Sequence, residues 1–372
     1  YYNTLLDTES RKSEQDQDFM INIYMGMANL YSDMGDHENA LQLHQECLEI
    51  QLCFYSDDHI KVAKTYHNIA TVYDCMGNRE KALQLYNRAL PIRLRELGEH
   101  HLEVADLYFN IAGVHQENGE LDKALELNTK TLTIRLEALG EHHSEVAYCY
   151  NNLARLQLDL GDLEKALEYN YKCLNIVRVT FGDDHSRVSE PYANLGQIYR
   201  AKGELNKSVD CFKKSLSIRL KAYGETDPIL DATYLDLAKT YEQQGDLEQV
   251  LRCYENSLSI RLKTLGENHI DTANMYNNVA SIHHELDELD RALELYSKAL
   301  SVTQKVIGED HIEVANTLHN IGLVYETKQD FGTSLKHYQQ AFKIRQQKLG
   351  SDHPDTEEML GKLARLKALM KV

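Results

Sequence analysis

The chain has 372 residues, 42% apolar and 26% charged, with 4 Pro and no Trp; this is enough apolar material for a large core and excludes a disordered or collagen-like chain. Lys and Arg total 40 against 58 Asp and Glu, and the formal net charge of -18 excludes wholesale binding to nucleic acid or to anionic membranes. Seven scattered Cys without a C-x-x-C pair fit a reducing, cytoplasmic setting better than a secreted disulfide framework. No apolar run of about 18 residues calls for membrane insertion. Tyr1 in place of an initiator Met points to an excerpt of a longer polypeptide.

Residues 1–20 lack the punctuation that follows and read as a degenerate N-terminal helix or flanking segment. From residue 21 a repeat sets in: Gly35, Gly77, Gly119, Gly161, Gly203 and Gly245 stand 42 residues apart, and Asp287 and Gln329 continue the series. A second series at the same spacing comprises Gly98, Gly140, Gly182, Gly224, Gly266, Gly308 and Gly350. Two punctuators per period predict two helices per period. In the third unit Leu107, Ile111 and Val114 mark one face of a first helix, and Leu121, Ala124, Leu125, Leu132 and Leu136 mark a second. Small residues recur where paired helices must approach: Ala28, Ala70, Ala112, Ala154, Gly196, Ala238, Ala280 and Gly322 in the first helix, Ala40, Ala82, Ala124, Ala166 and Ala292 in the second. Eight helix pairs are thus expected over residues 21–360. Residues 361–372, with Lys362, Arg365, Lys367 and Lys371, read as a polar capping helix.

Chemistry-bearing residues mostly resolve into structure. Of 17 His, seven (His59, His101, His143, His185, His269, His311, His353) hold one link position, where Asp227 substitutes in the fifth unit. Exchange with a capping residue points to helix starts, and neighbouring units would hold these side chains roughly 10 Å apart, too far for one metal ion. No nucleophile elbow, P-loop, dinucleotide fingerprint or H-E-x-x-H motif occurs, so neither enzyme activity nor a cofactor is expected. Cys47 and Cys173 sit at close-packing positions and should be buried and inert. Tyr66, Tyr108, Tyr150, Tyr192, Tyr234 and Tyr276 recur at helical spacing and are assigned to packing between units.

The order of small Ala, Gly-Asp/Glu, Ala and final Leu resembles the tetratricopeptide repeat, and the 42-residue period with I-R-x-x-x-L-G-E-x-H-x-x-V-A is similar to the kinesin light chain-like subtype. The resemblance covers almost the whole chain. It implies an all-α, right-handed α-solenoid of about eight pairs whose first helices line a concave groove. The heptad coiled coil by which light chains join a motor is absent from these residues.

Two positions before the small residue of the first helix, in units two to eight, stand Asn68, Asn110, Asn152, Asn194, Asp236, Asn278 and Asn320. A carboxamide both donates and accepts, so a ladder of them can hold an extended backbone without reading its sequence. The family's peptide-contacting Asn falls at this position; the alternative is bonding to a neighbouring helix. A second column is Arg93, Arg135, Arg219, Arg261 and Arg345, with Gln51, Val177 and Thr303 departing from it. The resemblance places some of these beside the groove, where a guanidinium could pair with peptide carboxylates; the alternative is an intramolecular pair or a cation at a helix C-terminus. Arg155, Arg200 and Lys239 add charge that, if exposed, would favour an acidic peptide. The expected partner is therefore a protein or peptide segment in the groove. Two further readings are a regulatory or sensor module that docks an intramolecular domain of a longer chain, and a ciliary or cytoskeletal scaffold.

Overall fold

The computed structural model describes residues 14–370, with side chains from Asp18 onward. Those residues form helix pairs α1/α2 (Glu14–Asp33, His37–Phe54), α3/α4 (Ile60–Cys75, Arg79–Leu97), α5/α6 (Leu102–Glu117, Leu121–Leu139) and α7/α8 (Ser144–Asp159, Leu163–Phe181). They continue with α9/α10 (Ser189–Ala201, Leu205–Tyr223), α11/α12 (Ile229–Gln244, Leu247–Thr264), α13/α14 (Ile270–Glu285, Leu289–Ile307) and α15/α16 (Ile312–Thr327, Phe331–Leu349), then a single α17 (Pro354–Leu369). A 3₁₀ turn, Ser186–Val188, precedes α9. No strand occurs among the described residues. The architecture is a solenoid-like tandem helical repeat, in two compact units, residues 1–182 and 183–372.

Two expected boundaries move. The first helix already includes Glu14, seven residues upstream of residue 21; residues 1–13 lie outside the described part. At the other end no break separates residues 360 and 361: α17 runs through both from Pro354, which takes the first helical position behind the cap His353. Residues 371–372 are not described.

Backbone chemistry sets the period. Gly35 (φ 78) and its successors close each first helix in the left-handed region, and Asp287 and Gln329, both at φ 62, keep that turn without glycine. The second series adopts a conformation open essentially to glycine alone, as at Gly140 (φ 83, ψ 163). All seven link histidines cap the next helix: His101 Nδ1, for example, accepts from the Glu103 N–H at 3.1 Å. In the fifth unit Asp227 accepts from the Ile229 N–H at 2.9 Å in the same way.

Close approach explains the small column. A Cβ on Gly196 would stand 2.7 Å from the Phe212 ring and one on Gly322 2.5 Å from the Tyr338 ring. Within each unit a second helix also packs on the following first helix, as where Leu107, Ile111 and Val114 of α5 join Ala82, Tyr86, Ala89 and Ile92 of α4 in one core cluster. First helices of neighbouring pairs touch as well: α3 meets α5 in one unit, α9 meets α11 and α13 meets α15 in the other. At these places first helices stand side by side as a wall. Cys47 and Cys173 are buried, and burial pushes the Cys47 thiol up to about 12. Among the described residues no helix is long and apolar enough to cross a membrane.

Candidate functional site

The arginine column is spent inside the chain. Arg93 and Arg135, near the ends of α4 and α6, are 4% and 6% exposed, and Arg345 in α16 is 6% exposed. Most of the column's guanidinium groups span two first helices, whereas Arg93 bonds only to Glu103 of the next one. Arg135 pairs with Asp106 of its own pair's first helix (2.8 Å) and with Glu145 of the next (3.0 Å). Arg261 holds Asp231 at 2.9 Å and donates to the Asp271 carbonyl at 2.9 Å. Arg345 donates to Asn316 Oδ1 (3.0 Å) and the Asp355 carbonyl (3.2 Å), and Arg93 to the Glu103 carbonyl (2.8 Å). Arg219, half-buried, donates to the Thr233 hydroxyl. Reach explains the pattern: only a long side chain bridges two consecutive first helices, and the first-turn residue ten positions on offers a carbonyl or carboxylate. Arg93, Arg135, Arg219 and Arg261 thus make the intramolecular contacts of the alternative reading and act as braces between helices.

The amide column divides. Asn110 Nδ2 lies 2.9 Å from His67 Nε2 on the neighbouring first helix, and burial lowers the His67 pKa to about 4, so the ring is neutral at physiological pH and accepts from the amide. Asn194 is buried at 7%. Where the column carries Asp236, Arg200 binds it at 3.1 Å and Gln197 donates to it at 3.2 Å, so Arg200 serves the Asp236 carboxylate and is not an open cation. Asn68, Asn152 and Asn320 are half-buried and Asn278 is exposed; among the described residues none of the four makes a side-chain hydrogen bond within the chain. Arg155 and Lys239 are exposed and form no ion pair among the described residues.

The open residues cluster on the first-helix wall. Along α7, Tyr148, Asn152 and Arg155 follow at i, i+4 and i+7, one helix face. Tyr148, 50% exposed, leans on Phe109 of α5 with ring centroids 5.3 Å apart. Sequence reasoning had passed over this aromatic pair, although its spacing from Asn152 is visible in the chain. The repeated tyrosines behave otherwise: Tyr66, Tyr108, Tyr150 and Tyr276 are buried, between 1% and 7% exposed, as packing residues should be, and Tyr192 and Tyr234 are half-buried. No group of three His, Cys, Asp or Glu side chains among the described residues is placed to hold a metal.

An open wall of amides on stacked helix pairs defines a class before any particular protein. The tetratricopeptide repeat model matches residues 19–95, 103–178, 158–221, 187–263, 229–305, 271–347 and 313–371. The chain belongs to the tetratricopeptide repeat family, whose members generally act as protein-interaction modules and are typically not enzymes. Solved structures with the same fold include the tetratricopeptide repeat sensor protein PH0952, a signal transduction ATPase with numerous domains from Pyrococcus horikoshii (17% identity, 89% of this chain and 50% of that one, TM-score 0.60). The apo form of RapI matches at 20% identity over 77% of this chain and 98% of that one (TM-score 0.55). BtubC (BKLC) from P. vanneervenii matches at 23% over 68% and 94% (TM-score 0.50). At these identities the likeness concerns the fold alone. No curated protein sequence matches the chain.

Proposed function

We propose that the chain is a non-enzymatic adaptor whose first-helix wall binds an extended peptide segment of a partner protein. One observation carries this reading: Asn152 and Arg155 share an α7 face with Tyr148, and neither Asn152 nor Arg155 has a partner within the described chain. Polar side chains aligned on a helix face and left unengaged are what an incoming backbone needs, since each amide offers it a donor and an acceptor. Asn68 extends the row in the same unit, and Asn278 and Asn320, with Lys239, repeat it in the other. Arg155 and Lys239 favour carboxylate-bearing peptides, within reach of electrostatic steering despite the net charge of -18. The seven cysteines, none of them in a disulfide, support a reducing compartment such as the cytoplasm.

The test is selection of random 12-residue peptides on the wild-type chain, followed by titration of the winners against Asn152→Ala/Arg155→Ala. The reading expects at least tenfold weaker binding with an unchanged melting temperature. Winners that bind both proteins equally would place recognition elsewhere.

A further inference from the structure

The repeat supplies its own standard, and the stretch from α10 to α12 departs from it twice. Where a second helix begins, the acid at its cap usually meets a Lys three residues on: Glu120 with Lys123 (2.8 Å), Asp162 with Lys165 (2.9 Å) and Glu204 with Lys207 (2.6 Å). At the start of α12 the acid is Asp246, and Gln249 replaces the Lys. Asp246 Oδ1 accepts from the Gln249 N–H at 3.1 Å and caps α12, but the carboxylate forms no ion pair among the described residues. The Lys of this column also covers a tyrosine of its own pair. Lys81 Nζ lies 4.9 Å from the Tyr73 ring centroid and Lys207 Nζ 5.3 Å from that of Tyr199, whereas Gln249 brings no cation to Tyr241. The second departure lies one turn into the helix. Glu126 with Lys130, Glu168 with Lys172 and Glu294 with Lys298 pair at 2.7, 2.7 and 2.8 Å. Helix α10 carries Asp210 and Lys214 at those positions, and the shorter carboxylate forms no ion pair among the described residues.

Both acids line one cavity of about 390 Å³, bounded by α10, the end of α11 and the start of α12, a size that suits a small metabolite. The Gln244 amide donates to Asn206 Oδ1 at 2.9 Å and ties one wall of it. Tyr241 lines the cavity as well; it is 6% exposed, and its hydroxyl has no hydrogen-bond partner among the described residues. A buried phenol without a partner inside the chain offers its hydroxyl to whatever fills the cavity. Lys213 is the third charge on the wall, 5.9 Å from the Tyr241 ring centroid and in no ion pair among the described residues. Two unpaired carboxylates and one unpaired ammonium thus face the same space. Their complement is a small molecule with two cationic groups and one carboxylate, the charge set of a free basic α-amino acid. A guanidinium suits the acid-rich side best, because its fork of N–H donors matches carboxylate oxygens in pairs. We propose that this cavity binds a free basic amino acid of the arginine type, its two cations taking the places that lysines fill beside these acids in other repeats.

The test is calorimetric titration of the intact chain with L-arginine at constant chloride concentration. The expected result is saturable binding of one molecule per chain, at least tenfold weaker for L-citrulline, which lacks the side-chain charge, and for agmatine, which lacks the carboxylate. Asp210→Asn and Asp246→Asn should each weaken L-arginine at least tenfold. Asn78 caps α4 in the same column as Asp246, so the second variant keeps its cap, and melting curves would verify that both fold. Gln249→Lys restores the lysine of the other repeats; it should pair with Asp246 and lower the affinity for L-arginine at least tenfold. Absence of saturable binding, equal affinity for citrulline or agmatine, or unchanged affinity in any of the three variants would overturn the proposal. So would a peptide ending in arginine that binds tenfold tighter than the free amino acid, since the ligand would then be the C-terminus of a partner protein.

Discussion

Arg135, near the end of α6, and Asn152, in the middle of α7, are both polar residues repeated about once per helix pair, yet the chain consumes one and leaves the other open. Arg135 is 6% exposed and bonded to two neighbouring first helices, whereas Asn152 is half-buried and makes no side-chain hydrogen bond among the described residues. Length decides the difference. A guanidinium on three methylenes reaches across the junction between repeats and finds carboxylates and carbonyls there; a carboxamide on one methylene bonds outside its own helix only where a neighbour brings a side chain to it, as His67 does to Asn110. Recurrence in a repeat protein therefore marks a shared role, and the reach of the side chain tells which role.

The largest effect separating the two columns should come from Arg135→Ala. Its partners Asp106 and Glu145 are each 49% exposed and can resolvate, so the loss stays below that of a fully buried pair, about 2 to 3 kcal/mol in urea unfolding. A loss no greater than that of Asn152→Ala would erase the distinction. Gly322→Ala comes next, because its Cβ would meet the Tyr338 ring at 2.5 Å; overpacking of this kind costs about 1 to 3 kcal/mol. Tyr338→Asn in the same chain should recover part of it, since Asn128 and Asn170 hold that register opposite Ala112 and Ala154. Thermal melts of the single and double variants would check both.

The pH dependence sharpens the picture where the columns touch. Burial lowers the pKa of His44 and His67 from 6.5 to about 4. The unfolded chain therefore takes up protons between these values while the folded chain does not. The stability these rings contribute is complete above pH 6.5 and is lost as pH falls toward 4, by about 1 kcal/mol per pH unit for each ring. Protonation also removes the acceptor that His67 offers Asn110. His44→Phe should flatten the decline between pH 6.5 and 5 in melting experiments; an unchanged slope would count against a buried neutral ring. Smallest of all is Asn278→Ala/Asn320→Ala, expected within about 0.5 kcal/mol of wild type by urea unfolding.

Much of this was legible in the chain because backbone needs are local. Gly140 can be only glycine at φ 83, ψ 163, and His101 caps within two residues, so both announce themselves by spacing alone. The reach of α1 upstream of residue 21 was missed because the glycines punctuate helix ends, not beginnings. The fate of the arginines was half visible: Asp106 stands 29 residues before Arg135 and Asp231 30 before Arg261, each an acid within one period, but the carbonyls of Glu103 and Asp271 leave no trace in side-chain identity. The burial of Asn194 and the Arg200 to Asp236 pair depend on how neighbouring helices meet, which a single column cannot report.

That the amides hold a backbone and not a side chain is tested most directly on a peptide selected by the wild-type chain. Its residues would be replaced one at a time by N-methyl equivalents, which remove a single backbone N–H, and in parallel by alanine, with affinity read by calorimetry. The account predicts that N-methylation at two or more positions weakens binding at least tenfold and that Asn68→Ala/Asn152→Ala abolishes this sensitivity. Affinity indifferent to every N-methyl group, and governed by side chains alone, would contradict it.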